Sequence, residues 1–297
     1  MAEINDVEIT SIFTGGLDEE IFKKFTANNL LHWWHFRALL RANLKSQDYW
    51  QDSERNRLPD SEQAELIALS LMNYHVHSGI FEASIFQNEL ELELAKLMNL
   101  DTLKMINLRR FWKAAYSSLY TSYNAVCNII YVLVTGESVF GKNKNRENPW
   151  NYTPSKTKNL LERYDHNVLY KLVFDSEQYI EIRNHLDHFW TIWTGFKGER
   201  FVMDDNFRKG RIIVDPDKEL SATIDVTYKL QQDIFGLVKN LDAIYEFITQ
   251  PMDTNLLENY LLKKGWVIDF SSSPFNGHKP GFLAMQVAAK PYLVQIK

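Results

Sequence analysis

The chain contains 297 residues, of which 45% are hydrophobic and 24% are charged, a composition typical of soluble globular proteins. This length is enough for one large domain or two ordinary domains with a well-buried core. The formal net charge of −5 argues against a protein whose whole surface is basic for binding duplex DNA, although it allows a local basic patch.

The number of cysteines and the N-terminal sequence predict the cellular compartment of the protein. Its single cysteine, Cys127, lies in the apolar run NAVCNIIYVLV, which excludes an internal disulfide and a zinc-finger framework and suits a reducing compartment. The first ten residues, MAEINDVEIT, lack the apolar core of a signal peptide. The longest apolar run is too short to span a bilayer. We therefore expect a cytoplasmic protein without a membrane segment.

Apolar residues recur at helical spacing along most of the chain. Pro59 and Asp60 resemble the start of a helix, Gly79 is a candidate interruption within it, and Gly136 ends the next helix. The segments predicted to be helical are 17–50, 60–100, 101–134, 155–174, 176–194 and 219–249.

Two short β elements are predicted beside these helices. The segment GERFVMDDNFRKGRIIVDPD predicts a small hairpin in which Asp205, Asn206 and Gly210 supply turn chemistry. Near the C-terminus a short helix leads into two strands, GWVIDF and FLAMQVAA. We expect a mainly α protein with a helical bundle over residues 1–250 and a small C-terminal α/β appendage over residues 251–297.

The predicted helix 176–194 contains the polar stretch RNHLDH. The preceding DSEQ resembles a capping box, and Gly195 is placed as a C-terminal cap. An apolar stripe runs along this helix, formed by Tyr179, Ile182, Leu186, Phe189 and Trp193.

The polar residues of RNHLDH occupy different positions around the predicted helix. Asn184 and His188 are four residues apart and share the face opposite the apolar stripe. Arg183 lies between the two faces, and His185 lies near the edge of the stripe. Ile180 is predicted on the outer face with Asn184, which suggests that a second copy covers this face in a homodimer.

Arg183, Asn184 and His188 resemble the signature of the HEPN superfamily, an arginine and a polar residue followed by a histidine four to six positions after the arginine. The resemblance implies an α-helical bundle over residues 60–250 with the motif on a late helix. Many members are metal-independent ribonucleases, often dimers with a composite site, whereas others serve in binding or assembly. It further implies RNA as substrate, no cofactor, and a regulator or antitoxin encoded separately.

The side chains in this motif suit metal-free cleavage of RNA. Histidine moves protons near neutral pH, so His188 is the expected general acid or base. The guanidinium of Arg183 is the expected clamp for the phosphate that gains negative charge. Asn184 is expected to orient the histidine or the phosphate.

A basic loop is the second candidate for contact with RNA. In GKNKNRENPW, Lys142, Lys144 and Arg146 alternate with asparagines. These cations are candidates for steering phosphates, with an aromatic residue available for stacking on a base. The alternative, which the composition favours, is an ordinary solvated loop.

Three other interpretations remain open from the sequence. RNHLDH is also typical of the solvent-exposed face of an ordinary amphipathic helix, with Arg183 and Asp187 as a surface ion pair. The chain could be a non-catalytic HEPN-like interaction module. Histidine pairs such as His32 with His35 have a spacing that allows a metal site in a helical bundle, but no Glu-x-x-His pair accompanies them.

Overall fold

The computed structural model is mainly helical with a small antiparallel sheet. It describes Phe36 and residues 61–96, 102–137, 154–163, 166–188, 192–207, 222–249, 256–264, 266–269 and 292–295. Its elements are α1 (Ser61–Ala95), α2 (Thr102–Thr135), α3 (Pro154–Arg163), α4 (Asn167–Glu177), α5 (Glu181–His188), β1 (Thr194–Lys197), β2 (Arg200–Asp204), β3 (Thr223–Asp225), α6 (Val226–Thr249), α7 (Leu256–Lys263), β4 (Trp266–Asp269) and β5 (Tyr292–Gln295).

The helices α1 and α2 form an antiparallel pair whose backbones approach closely. The Ser122 hydroxyl donates to the Val76 carbonyl at 2.7 Å, and the Ser118 hydroxyl donates to Glu82 at 3.1 Å. Gly79 lies between these two contacts and does not interrupt α1, so the predicted interruption is wrong. A glycine is needed here because a Cβ would overlap the Ser122 hydroxyl and lie 2.5 Å from the Ser118 carbonyl oxygen.

The end of α2 is capped as the sequence predicts. Gly136 has a φ of 67°, and its amide donates to the Val132 carbonyl at 2.9 Å. This geometry is the left-handed glycine cap that satisfies a carbonyl left open at the helix end.

The long helix α6 packs against α1, α2 and α4. It begins at Val226 rather than at residue 219, because residues 223–225 pair with β2 as strand β3. Asp225 caps the helix, accepting hydrogen bonds from the amides of Thr227 at 2.9 Å and Tyr228 at 3.1 Å.

The two predicted helices 155–174 and 176–194 are divided differently in the structure. The first region forms two helices, α3 and α4, and Asp175 lies inside α4 instead of capping a new helix. The Ser176 hydroxyl donates to the carbonyl of Leu172 at 2.7 Å, so this hydroxyl is engaged within α4. A turn over residues 178–180 follows, and α5 is described over Glu181–His188.

The predicted C-terminal cap of that helix is also wrong. Gly195 lies in β1, where it pairs with Val202 of β2. The two strands are joined by a two-residue turn at Gly198 and Glu199, and Gly198 has the φ of 60° that such a tight hairpin requires. Within the predicted helix 176–194, Thr194 therefore belongs to a strand, and residues 189–191 lie outside the described residues.

Asp205 and Asn206 form a turn directly after β2, as the sequence predicts, but the strand that pairs with β2 beyond it is β3 at residues 223–225, outside the predicted hairpin segment. The Asn206 amide donates to the Asp204 carboxylate at 3.0 Å. The Asp205 amide donates to the carbonyl of Ala222 at 3.3 Å, which places Asp205 beside the residue that precedes β3. Gly210 lies outside the described residues.

The C-terminal region begins with α7, which buries Leu257, Tyr260 and Leu261 in the same core as the bundle helices. The predicted strand GWVIDF corresponds to β4. Its partner is β5 at 292–295 instead of the predicted FLAMQVAA, which lies outside the described residues. The domain boundary at residue 250 stays a prediction.

Only Phe36 is described from the predicted helix 17–50. It is helical and fully buried, and its ring centroid lies 5.3 Å from that of Tyr245 on α6. This residue therefore joins the core formed by the bundle helices.

We expect Gly79→Ala to lower the free energy of unfolding by about 1–3 kcal/mol, because the added methyl group overpacks the contact between α1 and α2. Helix propensity alone would favour alanine by about 1 kcal/mol. Urea denaturation of the variant beside Ser78→Ala, a small change at the adjacent position, measures the difference. Stabilisation by Gly79→Ala would contradict the close approach.

Candidate functional site

The motif helix α5 runs along one side of α2 in the opposite direction. The guanidinium of Arg183 lies 4.2 Å from the ring centroid of Tyr120, near the middle of α2. Arg109, nearer the start of α2, donates from Nη2 to the carbonyl of Ile192 at 3.2 Å. Arg183 therefore lies at the level of Tyr120, and Ile192 lies nearer the start of α2, at the level of Arg109.

The apolar side of α5 faces the core. Ile182 and Leu186 are 1% and 8% exposed, as the predicted stripe requires. Tyr179 lies in the turn before α5, Trp193 lies just before β1, and Phe189 is outside the described residues.

Ile180 is not on the outer face. It is 3% exposed and belongs to the hydrophobic core, because it precedes α5 in the turn and does not follow the periodicity of the helix. The argument for a homodimer that was based on an exposed Ile180 is therefore wrong.

Arg183 and Asn184 are brought together in the structure. Nη1 of Arg183 donates to the Asn184 carboxamide oxygen at 3.4 Å, a long hydrogen bond, while Tyr120 supports the guanidinium from one side. The Asn184 side chain is exposed. His188 is the last residue of α5, one turn beyond Asn184 on the same face, and its side chain lies outside what the structure describes.

His185 has a packing role. Its ring lies edge-on to that of Phe207, with centroids 5.2 Å apart and an interplanar angle of 83°. This contact with an aromatic ring that is only 6% exposed agrees with the expected position at the edge of the apolar stripe.

A groove of about 830 Å³ opens beside the first turn of α5. Three of its lining residues, Asp175, Glu177 and Glu181, carry carboxylates. The remaining lining residues are Tyr120, Tyr123, Pro154, Ser155, Phe174, Gln178, Ile180 and Asn184.

The charge of this groove is predominantly acidic. Lys158 offsets one carboxylate, since its Nζ donates to Glu177 Oε1 at 2.6 Å and lies 5.7 Å from the Phe174 ring centroid. Burial, followed by nearby groups that include Cys127 and Glu177, raises the pKa of Tyr123, which therefore adds no charge near neutral pH. A groove with this lining repels phosphate and attracts cations.

The turn before α5 is held by α6. Tyr179 packs over Gly236, where a Cβ would overlap the tyrosine ring and lie 2.8 Å from its Cδ1 atom. Burial raises the pKa of Tyr179, and the negative charges of Asp233 and Asp175 raise it further. The sequence does not indicate why residue 236 is a glycine, because the reason is its contact with the Tyr179 ring in the folded structure.

Asp233 is a buried carboxylate on α6 that accepts hydrogen bonds from α2 and from its own helix. The hydroxyl of Tyr116 donates to its Oδ2 atom at 2.6 Å, and Lys229 donates to its Oδ1 atom. Burial and the adjacent Asp233 raise the pKa of Tyr116 well above its ordinary value, so the phenol holds its proton. These contacts join α2 to α6 behind the motif helix.

The other predicted chemical features are placed as follows. Lys142, Lys144 and Arg146 lie outside the described residues, as do His32 and His35. Among the residues that the structure does describe, no group of three or more His, Cys, Asp or Glu side chains could hold a metal ion. Cys127 is fully buried, and this burial raises the pKa of its thiol.

The long helices carry too many polar residues for a bilayer: in the described ranges, none is both long and apolar enough to cross a membrane. Comparison with protein-family models, with curated proteins and with solved structures gave no match.

We expect Gly236→Ala to displace Tyr179 and to lower the free energy of unfolding by about 1–3 kcal/mol. In a Tyr179→Ala background the same change should cost nothing, because the obstructing ring is absent. A double-mutant cycle measured by urea denaturation gives the coupling between the two residues. Equal costs in both backgrounds would show that Tyr179 is not what Gly236 accommodates.

Proposed function

We propose that the protein is a cytoplasmic, metal-independent endoribonuclease with a HEPN-like helical bundle. One observation carries the proposal: Arg183 is supported by Tyr120 and hydrogen-bonded to Asn184, on the short helix that ends in His188. A guanidinium packed against an aromatic ring is positioned by that ring, and its planar set of N–H donors matches the oxygens of a phosphate.

The proposed reaction is attack of a ribose 2′-hydroxyl on the adjacent phosphorus atom. The bond from phosphorus to the 5′ oxygen breaks, which leaves a cyclic phosphate and a free 5′-hydroxyl. One proton leaves the 2′-hydroxyl and one proton reaches the 5′ oxygen, and His188 is the group proposed to move a proton at one of these atoms. Arg183 stabilises the charge that develops on the phosphoryl oxygens, and Asn184 orients the phosphate or the histidine.

The proposed assembly is a homodimer in which two motif helices face one composite site. Its support is the resemblance of Arg183, Asn184 and His188 to HEPN proteins, together with the exposure of Asn184 on the outer side of α5. A regulator or antitoxin encoded separately belongs to the same proposal, since a ribonuclease in the cytoplasm needs control.

We expect His188→Ala to reduce RNA cleavage by roughly a hundredfold or more, the usual size of a general acid–base contribution. Arg183→Ala should also reduce turnover, because charge in the transition state loses its stabilisation. Purified protein is incubated with mixed single-stranded RNAs in EDTA, and products are separated on denaturing gels.

The matched control is His185→Ala, which changes a histidine on the same helix. It should lower the melting temperature through loss of its contact with Phe207 and retain most of the activity. Equal cleavage by wild type and His188→Ala, or no cleavage by either across varied RNAs, would exclude the catalytic proposal.

A non-catalytic interaction module is the second candidate, and the acidic groove favours it. Asp175, Glu177 and Glu181 line a groove that also contains aromatic rings. Such a lining suits the lysine or arginine side chains of a basic protein segment, through charge and through cation–π contacts. Arg183 would then have a structural role, because it contacts Tyr120 and Asn184, two residues of the groove lining.

This second candidate predicts that a labelled lysine- and arginine-rich peptide binds and that added salt weakens the binding. Asp175→Asn combined with Glu181→Gln should weaken it several-fold, whereas Ser155→Ala, at another lining residue, should not. Fluorescence anisotropy measures the affinities. Lack of peptide binding by the wild type, or equal binding by all variants, would remove this candidate.

A further inference from the structure

The charge along the motif helix changes sign. At its first turn lies the groove with the carboxylates of Asp175, Glu177 and Glu181. Beyond its last turn lies the guanidinium of Arg109, which reaches the carbonyl of Ile192, four residues after His188. A phosphate that approaches α5 is therefore repelled on the side of the groove and attracted on the side of α2, where Arg109 lies.

Lys113 extends this positive region along α2. At 100° per residue, residues 109, 113 and 120 fall within about 40° of one another on the helix surface. Arg109 and Tyr120 both contact the α5 segment, so Lys113 lies on the same stripe between two observed contacts. All three side chains are partly exposed.

Distances along the helices place this stripe beside the end of the motif. With a rise of 1.5 Å per residue, Lys113 is about 10 Å from Tyr120 along α2, and His188 is about 8 Å from Arg183 along α5. Because Arg183 lies over Tyr120, the backbone of His188 is within about one helical turn of the level of Lys113.

Arg109 also retains binding capacity. The hydrogen bond to Ile192 engages Nη2, whereas a guanidinium carries five N–H donors. A planar group anchored on one side offers its other donors in a fixed direction, which suits paired contacts to phosphate.

We propose that Arg109 and Lys113 bind the phosphates that flank the scissile bond, as the α2 edge of the motif site. This proposal rests on the proposed ribonuclease function and names the surface along which the RNA backbone enters. The single strand runs from Arg183 toward the C-terminal end of α5, on the side of α2 and away from the acidic groove.

The test measures binding separately from cleavage. The probe is a labelled 20-nucleotide single strand whose ribose 2′-hydroxyls are methylated, so that it cannot be cleaved by the proposed reaction. Its affinity is measured by fluorescence anisotropy at several KCl concentrations for wild type, Lys113→Gln and Arg109→Gln. Glutamine at position 109 keeps a donor for Ile192 while removing the charge.

Each variant should lower the slope of log K against log[salt] by about 0.7, the contribution of one phosphate contact in a single strand. The matched control is Lys263→Ala, an exposed lysine near Gly136 at the other end of α2, about 40 Å along the helix from Arg109. Its slope should equal that of wild type. If Arg109→Gln has a lowered melting temperature, the slope of Lys113→Gln alone is compared with that of wild type.

The outcomes separate this inference from the proposed function. Wild-type binding with unchanged slopes in both glutamine variants would overturn the inference, even if unmodified RNA is cleaved. Reduced slopes without any cleavage of unmodified RNA would support the phosphate edge and exclude the nuclease. Absence of probe binding by the wild type would overturn the inference whether or not cleavage occurs.

Discussion

The close approach of α1 and α2 at Gly79 is the constraint on which the other packing depends. With no side chain at this position, Ser122 reaches the backbone of the opposite helix, and the two long helices stay in register over many turns. Their paired surface supplies much of the core, against which α6 and α7 pack. The motif helix α5 packs on a further side of α2.

The short helix α5 depends on contacts from its neighbours, because eight residues are too few for a helix to be stable by itself. Tyr179 fits over Gly236 of α6 at one end, and Arg109 holds the carbonyl of Ile192 beyond the other end. Ile182 anchors its inner side in the core. The orientation of Arg183 and Asn184 therefore follows from residues on α2 and α6.

The position of α5 between two kinds of surface gives its ends different electrostatic environments. The carboxylates of the groove lie at its start, and the basic stripe of α2 continues past its end. The two candidate functions use different sides of the same helix. A nuclease would use Arg183, Asn184 and His188 on the side of α2, whereas an interaction module would use the acidic groove beside the first turn.

The sequence by itself determined the long helices and several of their ends, because apolar spacing and local caps act within a few residues. The α2 stop at Gly136 follows from such a local signal. It also placed Arg183, Asn184 and His188 on one helix and His185 beside apolar residues.

Only the tertiary structure decided where α5 begins and ends and what surrounds it. Asp175 and Ser176 read locally as a helix start, but packing of α4 against α6 extends α4 through them. Gly195 pairs across a hairpin instead of capping a helix, and Ile180 turns into the core. Tyr120, Gly236 and the residues that line the acidic groove belong to segments far apart in the chain. Local periodicity therefore cannot predict that they lie close together.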